Sequence, residues 1–537
     1  MNAPLRKVAI SVLVLFTLLI INVNYIQVVR SDELRNDSGN TRVLSEEYDR
    51  ERGSIVVAGT EVATSVATDD RLTYLRQYPQ GELYAPVTGY YSLVYGNAQT
   101  ERSMNEFLAG NEVASSVETE DALTYLRQYP QGPLYAAATG YYSVLFGNTG
   151  LERAENDVLA GTDGRLALRR LGDILTGRDP SGGNVELTLD PAVQQAAMDG
   201  LDGVTGAVVA LDPSTGAILG LASTPTYDPN QLSSHDPAAM RAYDAQITPE
   251  PGSGQADPRV NQATSERYPP GSIFKVIVSA AALASGDYTP QTVVPAPQQL
   301  TLPGTNTPLN NFGNDPCSSS GEQTLIDALT VSCNTAFAQL GIDLGEDRVR
   351  EMAQAFGLDD EGFEMPLDVA GSTVGDIAND AELGVASIGQ QNVVVTPMQA
   401  AMIAAAVAND GTLMKPHLVD SIQAPDLSVV DQTDPEELGR PVSAEVADQL
   451  TEMMTSVVAN GSGRRAQISG VEVAGKTGTA ENAGDDHNWF IGFTPADEPQ
   501  IAVAVFVRNG GGTGGDVSAP IAKAVLQAYL DAQGAGG

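Results

Sequence analysis

Lysine is scarce in this chain, with five in 537 residues. Two of the five stand in short patterns with hydroxyl side chains, Ser272-Ile273-Phe274-Lys275 and Lys476-Thr477-Gly478-Thr479, and Ser332-Cys333-Asn334 lies between them. Residues three apart share a helix face, so Lys275 can reach the Ser272 hydroxyl. Pro269-Pro270-Gly271 stops regular structure just ahead, which puts Ser272 at a helix start, where backbone N–H groups are free. The residues that follow are apolar nearly all round, so the helix is expected to be buried. Burial lowers a lysine pKa and makes Lys275 a neutral base, with Ser272 an activated nucleophile. Ser332 can relay a proton and Asn334 can bind a substrate amide. Lys476 supplies positive potential, and the hydroxyls of Thr477 and Thr479 can hold a carboxylate. Gly478 removes a side chain where a ligand would approach the strand. The Thr479 and Ser272 N–H groups together would form an oxyanion hole. Singly, each pattern has an ordinary structural reading: an N-cap serine with a snorkelling lysine, a helix-capping pair, and a charged edge strand. The specific signal is all three, in this order, in a chain with so few lysines.

These groups need a rigid frame. Val185–Leu189 alternates as a strand, and Asp190 and Pro191 open a helix to Leu201. Gly206–Leu211 and Ala217–Ala222 flank a five-residue loop, a hairpin pattern. Alanine-rich helices fill much of 322–408. Segments 471–480, 488–494 and 500–508 read as sequential strands, and Ala519–Ala532 as a closing helix. Strands at both ends with helices between predict an α+β domain over 184–537, an antiparallel sheet packed by helices. Lone Trp489 and Lys415 are assigned to packing.

The rest of the chain is organised around this domain. Arg6 and Lys7 precede an apolar run that would make a helix about 28 Å long, enough to span a bilayer. Residues 1–7 then form a cytoplasmic tail, 8–28 an uncleaved transmembrane helix, and the remainder lies outside the cytoplasm. Residues 29–183 read as a non-catalytic pedestal containing a tandem duplication: 33 of 50 positions match between 61–110 and 112–161. The second copy alone has Gly147-Asn148-Thr149-Gly150-Leu151-Glu152 and runs on into Arg165-Leu166-Ala167-Leu168-Arg169-Arg170, so it is the better candidate to dock on the rest. Net charge is −39, from 68 acidic and 29 basic residues, which repels phosphate backbones and excludes nucleic acid as a partner. The acidity keeps the surface solvated, although adaptation to a salty or acid habitat is another reading. Cys317 and Cys333 are the two cysteines. Outside the cytoplasm they can form a disulfide that tethers the Ser332–Asn334 segment, or remain as two buried thiols. The three histidines are far apart and no metal-ligand spacing occurs.

At these residues the chain resembles the penicillin-binding proteins. The motifs of Ser272, Ser332 and Lys476, the Ser-Cys-Asn-Thr context, Arg52-Gly53, and the Thr-Gly-Tyr-Tyr-Ser and Gly-Leu-Glu segments resemble class B, monofunctional D,D-transpeptidases of the actinobacterial cell-division type. The resemblance implies acyl transfer in two steps on peptidoglycan stem peptides. Ser272 attacks the D-Ala-D-Ala amide with help from Lys275, and Ser332 protonates the leaving D-Ala. Lys476, Thr477 and Thr479 anchor the terminal carboxylate, and Asn334 holds the peptide. A neighbouring amine then takes the acyl group, and β-lactams leave a stalled ester. No cofactor is implied. The implied partner is a membrane glycosyltransferase of the cell-wall machinery, since no segment resembles the glycosyltransferase domain of bifunctional relatives. A D,D-carboxypeptidase, a β-lactamase and a non-catalytic divisome scaffold are the competing readings. The duplicated block departs from the family, whose members carry one such segment.

Overall fold

The computed structural model describes short strands between 55 and 97, residues 112–166 and residues 182–535, apart from 120–122, 124, 307, 361–362, 364, 425–428 and 483. The expected transmembrane helix at 8–28 lies outside the described residues. Among the described residues, no helix is long and apolar enough to cross a membrane. The chain divides into two compact units, Met1–Glu112 and Val113–Gly537.

The larger unit is built on a five-stranded antiparallel sheet. Helix α1 (Pro191–Gly200) starts where Asp190 accepts hydrogen bonds from the Ala192 and Val193 amides, with Pro191 at the position that needs no N–H donor. Strands β1 (Thr205–Leu211) and β2 (Ile218–Thr224) form the expected hairpin. After the helices α2 (Lys275–Ala284), α3 (Leu325–Thr330), α4 (Asn334–Leu344), α5 (Pro397–Ala408) and α6 (Ala444–Asn460), the chain returns as β3 (Ala474–Ala480), β4 (His487–Thr494) and β5 (Ile501–Arg508). The strand order is β2-β1-β5-β4-β3. Helix α7 (Ser518–Ala535) closes the fold.

Both faces of this sheet are covered, which is why β4 is buried at every position and β5 at all but Arg508. On β5 the side chains alternate between two cores. Val503, Val505 and Val507 pack with Val193 and Ala197 of α1 and Ala522 and Leu526 of α7. Ala502, Ala504 and Phe506 face the larger core with α5, whose residues are all buried. Burying a valine or phenylalanine side chain is worth about 1.5–3 kcal/mol. The edge strand β3, which carries the Lys476 pattern, is therefore fixed on a deeply buried frame.

The duplication shows as a repeated strand register. In the second copy Ser115 pairs with Gln128 and Glu118 with Tyr125; in the first copy Thr64 pairs with Gln77 and Ala67 with Tyr74. The hairpin Tyr142↔Asn148 of the second copy likewise repeats Tyr91↔Asn97 of the first. The second copy is part of the larger unit, as its extra Gly-Leu-Glu segment suggested. Leu151 and Val158 enter the main core. Asn230 accepts from the Tyr129 amide at 2.8 Å and donates to its carbonyl at 2.9 Å. Gln194 donates to the Leu134 carbonyl and Asn261 to the Ala137 carbonyl. Within the copy, buried Glu152 accepts from Arg127 Nε at 2.6 Å and from the Tyr129 hydroxyl at 3.1 Å.

Candidate active site

Ser272 stands on a 3-10 turn, Gly271–Phe274, that leads into α2, so Lys275 is the first α-helical residue. Gly271 has φ +54°, and a Cβ there would lie 2.5 Å from the Thr479 carbonyl oxygen. Only glycine lets the nucleophile turn approach β3 this closely. The Gly271 amide donates to the Gly389 carbonyl at 2.9 Å, holding the turn from the other side. The Ser272 side chain is half-buried, whereas Lys275 and the rest of α2 to Leu283 are buried.

Ser332 lies in the break between α3 and α4 with φ +63°, a left-handed conformation uncommon for a non-glycine residue. The break is held by hydrogen bonds from the Ser332 amide to Leu329 O and from the Cys333 amide to Ala328 O. A disulfide joins Cys333 to Cys317, and the Asn311 side chain accepts from the Thr335 amide. This geometry turns Ser332 and Asn334 together onto Lys275. Lys275 Nζ donates to Ser332 O at 2.7 Å and Asn334 Oδ1 at 2.8 Å, with Ser332 Oγ at 3.3 Å. Lys476 Nζ donates to Ser332 Oγ at 2.9 Å and to Thr477 O at 2.8 Å. The Ser332 hydroxyl thus sits between two buried amines. Asn334, assigned from sequence to the substrate, already has its Oδ1 engaged with Lys275.

The electrostatics separate the two lysines. Burial, and then the nearby Lys476 ammonium, hold Lys275 well below the ordinary lysine range. Burial alone pushes Lys476 down to about 7. The two ammonium groups repel each other, and the deeper depression at Lys275 makes it the one that gives up its proton first. A neutral Lys275 donates its two protons to the carbonyl oxygens of Ser332 and Asn334 and keeps a lone pair for a hydroxyl. Among the described residues none hydrogen-bonds the Ser272 hydroxyl.

On β3 the structure changes one expectation. Gly478 does not clear space for a ligand: a Cβ there would lie 2.8 Å from Pro270 O, 2.9 Å from Trp489 Cβ and 3.0 Å from Ile273 Cγ2. Its missing side chain admits the nucleophile turn. Trp489 packs as expected, fully buried, and its indole N–H also ties down Pro269 O at 2.9 Å. Lys415 does not pack as expected but pairs with Glu436 at 2.9 Å. The Thr477 hydroxyl hydrogen-bonds the Ser462 hydroxyl at 2.6 Å, and Thr479 Oγ1 accepts from the Gly514 amide at 3.2 Å. Ser462 and Gly514 were not legible as site residues. They lie in Gly/Ser-rich loops with no spacing signal, and only the fold brings them to β3.

The chain is similar to known proteins over whole domains. Residues 206–527 match the penicillin binding protein transpeptidase domain, and residues 52–113 and 109–185 each match the penicillin binding protein A dimerisation domain. The two latter matches correspond to the two copies. The chain is 44% identical to the peptidoglycan D,D-transpeptidase PbpA of Mycolicibacterium smegmatis, covering 99% of each chain. It is also 44% identical to PbpA of Mycobacterium tuberculosis, covering 99% of this chain and all of that one. Among solved structures, the penicillin G acyl-enzyme complex of M. tuberculosis penicillin-binding protein A is similar at a TM-score of 0.75 and 46% identity, over 78% of this chain and 98% of that one. The imipenem acyl-enzyme complex of the same protein is similar at 0.72 and 42% identity, over 90% of this chain and 100% of that one.

Proposed function

The chain belongs to the penicillin-binding protein transpeptidase family, and we infer that it is a serine-type peptidoglycan D,D-transpeptidase that β-lactams acylate. The observation that carries the assignment of roles is the convergence of two buried lysines on the Ser332 hydroxyl beside the Ser272 turn.

Ser272 Oγ attacks the carbonyl carbon of the penultimate D-Ala of a stem peptide, and its proton passes to the neutral amine of Lys275. Negative charge develops on the carbonyl oxygen, which the Ser272 and Thr479 N–H groups receive. In support, the Thr479 carbonyl faces the Gly271 turn, and in an antiparallel ladder a residue's N–H and C=O share one side. One such donor is worth about 3–4 kcal/mol of transition-state stabilisation. The C–N bond then breaks. The leaving D-Ala nitrogen takes its proton from the Ser332 hydroxyl, which is resupplied from Lys275. Lys476, Thr477 and Thr479 hold the terminal carboxylate, and Asn334 orients Lys275 and donates from its amide nitrogen to the donor peptide. An acceptor amine on a neighbouring stem attacks the ester, the new amide forms, and Ser272 recovers its proton. A β-lactam follows the first step, but its leaving nitrogen stays tethered and the ester persists.

Residues 8–28 anchor the protein in the plasma membrane with the catalytic domain outside; the apolar run after Arg6 and Lys7 supports this, as does a disulfide, a bond suited to an oxidising compartment. A membrane glycosyltransferase supplies the glycan strands to be cross-linked. The test is cross-linking of a pentapeptide-bearing glycan by wild type and Ser272→Ala. Dimeric stem product with D-Ala release from wild type only supports the reading, whereas D-Ala release with no dimer makes the protein a carboxypeptidase.

A further inference from the structure

Ser462 joins three parts of the site without belonging to any of its motifs. It follows the C-terminus of α6. Its amide donates to Thr330 O, two residues before Ser332. Its carbonyl lies where a Cβ on Gly515 would be 2.3 Å away, so the 513–516 loop rests against it. Its hydroxyl meets the Thr477 hydroxyl at 2.6 Å. Main-chain contacts thus fix where Ser462 stands, and its exposed side chain is left for the site.

Two hydroxyls joined by one hydrogen bond use one of their two protons and keep the other. Whichever oxygen donates, the pair retains a single O–H for a third partner. On the same face of β3, two residues along, Thr479 Oγ1 already accepts from the Gly514 amide, which leaves its proton free to donate. Two outward hydroxyl protons beside a lysine ammonium form a receptor for one planar anion. We propose that Ser462 is a positioning residue for the substrate carboxylate, holding the Thr477 hydroxyl so that the pair presents one proton to that anion. This rests on the transpeptidase reading above and adds to the Thr477 and Thr479 hydroxyls a third, outside the three motifs, that sets preference for ligands with a free carboxylate.

The test compares acylation by penicillin G and by its carboxylate methyl ester in wild type, Ser462→Ala and Ser462→Thr. Because the main chain at 462 makes the fold contacts, each variant keeps them. Ser462→Ala is expected to lower the acylation rate constant for penicillin G about tenfold, the effect of losing a hydrogen bond that supports a charged group, and to change that for the ester less than about twofold. Ser462→Thr, which keeps the hydroxyl, is expected to restore the acid-to-ester ratio. Equal slowing on both ligands, or none on either, overturns the role of Ser462 while wild-type acylation at Ser272 leaves the transpeptidase reading standing. Wild type that forms no adduct with penicillin G overturns both.

Discussion

Gly478→Ala is the substitution whose consequence the geometry determines most closely. The new methyl would lie 2.8 Å from Pro270 O, against an ordinary limit of 3.4 Å, so the two must separate by 0.6 Å. Trp489 Cβ at 2.9 Å and Ile273 Cγ2 at 3.0 Å close the other directions. Trp489 is fully buried and bonded to Pro269 O, so the nucleophile turn has to move. Overpacking of this kind costs about 1–3 kcal/mol. A misplacement of about 1 Å costs about a hundredfold in rate, so a shift near half that predicts acylation lowered about ten- to a hundredfold. The assay is the second-order rate constant for acylation by a fluorescent penicillin, read beside the thermal midpoint. Both should fall. Wild-type acylation would refute the packing argument. Loss of acylation with an unchanged midpoint would also refute it, and would favour the ligand-clearance role that the sequence suggested.

Other predictions follow from the lysines, the disulfide and the second repeat. Acylation should fall at low pH as Lys275 gains a proton, and fall again above about 7 as Lys476 loses its own; a rate profile flat across this range would contradict the role assignment. Between about 7 and the free lysine value of 10.5, the unfolded chain binds more protons at Lys476 than the folded one. That site therefore adds stability as pH rises, and Lys476→Met should flatten the rise of the thermal midpoint over that window. Replacing both Cys317 and Cys333 with serine opens a link spanning 16 residues and should cost about 3 kcal/mol. Denaturant unfolding checks this, with slower acylation expected because Ser332 and Asn334 flank Cys333. Glu152→Ala leaves half-buried Arg127 and buried Tyr129 without their shared acceptor and should raise hydrogen exchange over 125–159 while acylation by penicillin stays within about twofold. Unchanged exchange there would show that the network does not hold the module.

Much of the frame was readable because its signals are local. Asp190-Pro191 begins α1 as capping chemistry requires, and the apolar runs before Thr494 and Arg508 are strands because a doubly covered sheet needs apolar residues on both faces. The three motifs also identified the residues that meet. What they did not reveal is how they meet. Nothing in Ser332-Cys333-Asn334 announces a left-handed serine, yet that single φ brings the Ser332 carbonyl and Asn334 onto Lys275. The reason for Gly478 lay in Pro270, which is distant in sequence, and in Trp489, its partner on the neighbouring strand, and both are adjacent only after the sheet forms. Ser462 was invisible for the same cause, since a hydroxyl in a glycine-rich loop carries no period or spacing. The duplication was plain in sequence, and the choice of the second copy for docking rested on Gly147-Asn148-Thr149-Gly150-Leu151-Glu152 and the run into residues 165–170; within the first of these Leu151 is a core residue.

The central claim is that Ser272 is the nucleophile, activated by Lys275. It is tested most directly by intact mass of the purified extracytoplasmic region after penicillin G, for wild type, Ser272→Ala and Lys275→Met, with peptide mapping of any adduct. The account predicts a long-lived adduct of one penicillin on wild type, mapped to the peptide containing Ser272, no adduct on Ser272→Ala, and formation slowed by orders of magnitude on Lys275→Met. An adduct that survives in Ser272→Ala, or one that forms at the wild-type rate without Lys275, would contradict it.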